Sequence, residues 1–182
     1  MTDERMGIVA SINYSRKSGS IFPFVPVYLE GELSFNIDNR AVARRPEYHM
    51  YGTSSILISY VEIEIDIKSG RPMFVSGYHP NHDWIRASAF PYGMIEGEIY
   101  VTADPEFEGG IPFSLWKYDE METIYDSATG WVRMTRDDSK EDHDIWKFSV
   151  DAALGFRNDE LHSLWVKPIF EQRNVEVTGT RL

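Results

Sequence analysis

The chain has 182 residues, 42% of them apolar and 26% charged, the make-up of one soluble globular domain spanning residues 1–182. It has no cysteine, which excludes disulfides, thiolate zinc sites and cysteine nucleophiles and fits a reducing, cytoplasmic setting. The formal charge is −11, all of it carried by residues 61–182 with 23 acids against 12 bases, a field that argues against nucleic acid and anionic membranes as partners and favours a basic protein.

Read in chain order, the first elements are strands at 7–12, 25–29 and 33–37, followed by a segment at 39–50 that could hold a short helix were it not interrupted by Pro46. The clearest pattern is Val61-Glu-Ile-Glu-Ile-Asp-Ile67, apolar at every odd position and acidic at every even one. Successive side chains point to opposite faces of a strand, so the four apolar residues face a core and Glu62, Glu64 and Asp66 face outward. The run 55–60 reads as an extension of this strand. Gly70 supplies a turn into a partner strand at 73–77, with Pro72 at its start because proline cannot donate a ladder hydrogen bond.

Asn81 reads as an N-cap for one or two helical turns within 81–88. A strand at 94–101 sends Glu96 and Glu98 outward and places Gly97 on the inward side, the mark of a bulge or a bulky neighbour. Residues 104–112 read as a loop. Strands at 130–135 and 145–150 flank an acidic loop and read as a long hairpin, which would let Trp131 and Trp146 pack across one sheet. Strands at 150–156 and 161–170 flank a second turn, and 175–177 is the last candidate. The sum is a mainly β fold: an antiparallel β-sandwich or partly closed barrel of about ten strands with one or two short helices.

Three constellations could carry chemistry. His79, His82 and Asp83 lie within five residues, yet no third strong zinc ligand is near, and Pro80-Asn81 reads as a turn. Glu62 and Glu64 are spaced like paired glycosidase carboxylates but share one flat face and cannot flank a sugar bond. The stretch 137–144 has oxygens for calcium without the loop spacing that calcium sites use, and with Lys140 in its middle. No nucleophile elbow, phosphate loop or dinucleotide fingerprint is present. The reading is therefore of a protein that is not an enzyme and needs no metal or cofactor. Residues 104–160 carry fifteen acids against six bases, and a basic partner would relieve their mutual repulsion. The candidate contacts are Glu62, Glu64, Asp66, Glu96 and Glu98 on sheet faces and Asp119, Glu120, Glu122, Asp137, Asp138 and Asp142 in loops. A small-molecule-binding β-barrel with a cavity lined by aromatic rings is the alternative.

Asp66-Ile-Lys-Ser-Gly-Arg71, Gly77-Tyr-His-Pro80 followed by Trp84, Gly130-Trp-Val132 and Leu164-Trp-Val-Lys-Pro168 together resemble small bacterial β-proteins, some of which look like immunity proteins of polymorphic toxin systems. The resemblance implies a cytoplasmic antitoxin that binds a basic, nuclease-type toxin and has no catalytic residues.

Overall fold

In a computed structural model the described residues are 11–38, 52–117, 120–137 and 141–172. The expected elements at 39–50 and 175–177 lie outside them. The strands in chain order are β1 (Ser11–Ser18), β2 (Pro26–Leu29), β3 (Ser34–Ile37), β4 (Thr53–Ile58), β5 (Val61–Asp66), β6 (Arg71–Tyr78), β7 (Ile85–Arg86) and β8 (Ile95–Asp104). They continue with β9 (Phe113–Trp116), β10 (Glu122–Tyr125), β11 (Val132–Thr135), β12 (Asp144–Ser149), β13 (Ala152–Arg157), β14 (Glu160–Val166) and β15 (Ile169–Glu171). A short 3-10 turn spans Asn81–Asp83, and no side chain caps it.

The strands form two sheets that face each other as a sandwich and do not close into a barrel. One has eight strands in the order β1-β8-β12-β13-β14-β11-β10-β7, and the other has seven in the order β15-β2-β3-β6-β5-β4-β9. Most pairs are antiparallel, but β7–β10, β8–β12, β2–β15 and β4–β9 run parallel, so both sheets are mixed.

The alternation in β5 does what its period demands. Val61, Ile63 and Ile65 are buried while Glu62, Glu64 and Asp66 are half-buried on the outer face. The inward row joins Ile56, Ile58 and Val75 and meets Ile99, Val101, Val132, Met134, Leu154, Leu164 and Val166 of the other sheet in one core. The run 55–67, read as one strand, falls in two, β4 and β5. Ser59 takes a φ of 60° and reverses the chain, pairing Ile58 with Val61. Serine carries no strong turn signal there, so local pattern concealed the hairpin.

Gly97 matches its expected role. A Cβ there would lie 2.6 Å from the Lys17 carbonyl oxygen and 2.7 Å from the Trp146 ring. Gly97→Ala is expected to cost about 1–3 kcal/mol, the usual penalty of overpacking. A urea midpoint equal to that of the wild type would show that Trp146 moves aside freely.

The expected hairpin of β11 and β12 does not form. Strand β11 pairs with β10 and β14, and β12 pairs with β13 and β8. Trp131 and Trp146 consequently lie apart. Trp131 meets Trp165 edge-on at 6.4 Å, and Trp146 packs against the main core. Two strands flanking a loop need not be partners when a later hairpin, here β13–β14, inserts between them.

Candidate protein-binding face

Cross-strand partners put their side chains on the same face. On the eight-stranded sheet one outer row therefore runs Ile124, Arg133, Trp165, Ala153, Lys147, Glu96, and the next runs Glu122, Thr135, Ser163, Gly155, Ile145. Ile124, Trp131, Ile145, Ala153 and Trp165 are buried although they point away from the main core. The cover is a strap, residues 87–94, that crosses from β7 to β8 and contributes Ala89 and Met94 to this second cluster.

The strap is pinned by Asp126. One carboxylate oxygen accepts the Ala89 N–H at 3.1 Å, and the other accepts the N–H groups of Ala128 at 2.8 Å and Thr129 at 3.3 Å. These backbone donors favour the ionised form and hold the Asp126 carboxyl below the usual carboxylate range. Beyond the pin, Phe90 and Tyr92 turn outward, 42% and 82% exposed, with ring centroids 4.9 Å apart. Four large apolar side chains, Ile85, Phe90, Tyr92 and Ile95, are exposed within this short stretch.

A groove of about 370 Å³ lies beside the strap. Phe90 and Tyr92 line one part of it, Trp165, Ile145 and Arg133 another, and Glu141 and Asp142 a third. Beneath it sits a polar hub. The Asp142 side chain is only 3% exposed. Its carboxylate accepts the His162 Nδ1–H at 2.9 Å, the Ser163 hydroxyl at 2.8 Å and the Trp165 indole N–H at 3.0 Å. Arg133 stacks over Trp165 at 5.3 Å and approaches the same carboxylate to 3.9 Å. Glycine at position 155 makes the room, since a Cβ there would run into the Asp142 carboxylate and the Ser163 hydroxyl.

The expected acidic contacts divide sharply. Strands β5 and β8 belong to different sheets, so Glu62, Glu64 and Asp66 do not share a face with Glu96 and Glu98. Glu62 accepts the Ser55 hydroxyl at 2.8 Å and Glu64 the Ser76 hydroxyl at 3.3 Å, and neither has an ion-pair partner among the described residues. Partial burial, followed by its neighbour Glu62, pushes the Glu64 carboxyl above the usual range. Asp66 accepts the Ser69 N–H and hydroxyl and so closes the β5–β6 turn.

Glu96 is paired with Lys147 at 3.1 Å. Glu98 is paired with Lys17 at 3.1 Å and Arg71 at 3.4 Å, and its carboxyl is held low by the hydrogen bond from Tyr100 and then by Lys17. Glu120 accepts the Lys117 N–H, Glu122 is exposed at the end of its row, and Asp137 is half-buried. Asp142, expected as a loop contact, is instead turned inward as the hub. Asp119 and Asp138 lie outside the described residues.

The histidines also separate. His79 is buried among Phe35 and Trp84, while His82 is exposed beside Asp83 at 3.2 Å. Among the described residues no group of three or more His, Asp or Glu is placed to hold a metal, and no helix is long and apolar enough to cross a membrane. The strap escaped sequence reading because 87–94 has neither period. Its signal was Phe90-Pro-Tyr-Gly93, two aromatic rings set among turn residues. No protein-family model matches this chain, and no curated protein matches it.

Proposed function

We propose that this chain is a binding protein that holds a basic protein on the outer face of its eight-stranded sheet, and that the partner is a toxin of the nuclease type, neutralised as an immunity protein would. The observation that carries the reading is the exposed Phe90–Tyr92 pair on a pinned strap beside a groove edged by Glu141. Exposed aromatic rings held on rigid backbone are the side chains that most often dominate the energy of protein interfaces. The net charge of −11 supplies the complementary term, because a nuclease holds phosphate with lysine and arginine and those groups are attracted to an acidic face. Carboxylates already paired within the chain, such as Glu96 and Glu98, contribute less to this than Glu141 and Glu122.

The test is capture from the native cell followed by binding measurements on the purified pair. The captured protein is expected to be basic and to harm the cell when this chain is removed. Phe90→Ala with Tyr92→Ala should weaken the complex by about 2 kcal/mol or more, roughly thirtyfold, with the melting temperature unchanged. Association should slow by about tenfold or more between low and physiological salt. A partner that binds the double variant as tightly as the wild type would overturn the placement, and an acidic or harmless partner would overturn the function.

A further inference from the structure

At one border of the sandwich the sheets end on very short strands, β7 in one and β15 in the other. A cavity of about 200 Å³ is lined there by Trp84, Arg86, Tyr125 and Phe170 together with Glu30 and Asn81. The volume is several times the ~30 Å³ share of a water molecule, enough for a small organic ligand. Trp84, Tyr125 and Phe170 stand with centroids 5.6–6.4 Å apart and mutual tilts of 59–63°. That arrangement turns ring surfaces toward a common region.

Two oppositely charged groups line this cavity. Glu30 is a half-buried carboxylate with no ion pair among the described residues. Arg86 is an exposed guanidinium that lies over the Tyr125 ring at 5.8 Å. Trp84 is only 9% exposed and contributes to the cavity wall, while its indole nitrogen is buried out of reach of solvent.

We propose that this cavity binds a small zwitterion, an α-amino acid or a betaine. Its carboxylate pairs with Arg86. Its ammonium group pairs with Glu30 and rests against the aromatic faces, which attract cations through their quadrupoles. A simple anion would meet Glu30, and a simple cation would meet Arg86. Only a molecule carrying both charges satisfies the two together. This site lies apart from the strap groove and does not depend on the partner reading.

The experiment is titration of the full chain with glycine, L-serine, L-glutamine and glycine betaine, followed by tryptophan fluorescence and calorimetry. Acetate and methylammonium serve as single-charge probes. Saturable binding of at least one zwitterion is expected between about 10 μM and 1 mM. Glu30→Gln and Arg86→Gln, both at accessible positions, should each weaken it at least tenfold with the melting temperature unchanged. A flat titration with all four zwitterions up to about 10 mM, wild-type affinity in either glutamine variant, or binding of acetate as tight as that of the zwitterion would each overturn the assignment.

Discussion

Asp142→Ala is expected to lower the unfolding free energy by about 3–5 kcal/mol, the range found when one member of a buried charged network is removed. The substitution deletes one small carboxylate but strands several donors: the His162 Nδ1–H, the Ser163 hydroxyl and the Trp165 indole N–H, with Arg133 close by. Each is drawn largely out of water with the Asp142 carboxylate as its acceptor, and losing that acceptor leaves it unpaired. Asp142→Asn keeps the shape and one acceptor oxygen but turns an amide toward hydrogen-bond donors, so an intermediate loss is expected. The loss should also reach the groove, since Trp165 and Arg133 line it alongside Asp142. Urea unfolding of both variants measures the effect. An alanine variant within about 1 kcal/mol of the wild type would mean that the donors find water and that the hub adds little to stability.

The second large effect is loss of stability on mild acidification, centred on His79. The side chain is 3% exposed, stacked on Phe35 with centroids 6.0 Å apart, and its Nε2 lies 2.8 Å from the Thr123 hydroxyl oxygen. Burial pulls its pKa from 6.5 down to about 4, against a small opposing pull from Asp83. Above pH 6.5 the ring is neutral in both folded and unfolded chains, and the full stability is present. As pH falls from 6.5 toward 4 the unfolded chain takes up a proton that the folded chain refuses. Stability is lost through that window, by about 3 kcal/mol once the folded pKa is reached.

Glu64 opposes this in part. Its carboxyl is pushed above the ordinary range by burial, so the folded chain gains a proton more readily as pH falls. Asp126 and Glu98, both held low, add their own loss only below the ordinary carboxylate range. Urea midpoints between pH 7.5 and 4.5 should slope down for the wild type. For His79→Gln, which cannot take a proton, they should start lower and stay nearly flat. Parallel slopes for the two proteins would show that His79 is not the group responsible.

Local pattern was a sound guide wherever one face of a strand meets a core. The strict alternation of 61–67 reports burial directly, because a slip of one residue would send Ile63 and Ile65 to solvent and Glu64 inside. Gly70 and Gly97 were equally legible, one for its turn with φ at 71° and the other for the Trp146 ring that presses on it. Poor periodicity at 3.6 residues likewise pointed to a fold with almost no helix. Ser59 was not legible, since many residues can sit in a turn when the flanking strands hold them there.

Carboxylates were read least well, and the reason is physical. Alternation says that Glu62 and Glu96 point away from apolar neighbours, but which sheet each strand joins depends on pairing between segments far apart in the chain. A carboxylate's role is then set by whatever pairing brings beside it: Lys147 for Glu96, the Ser163 hydroxyl and Trp165 indole for Asp142, backbone amides for Asp126. Order along the chain alone determined the β class, the strand faces and the negative field. Tertiary structure decided which acids stay exposed, raised the Phe90–Tyr92 strap over a second apolar layer, and left a cavity where two short edge strands end, because each of these depends on contacts between residues that only folding brings together.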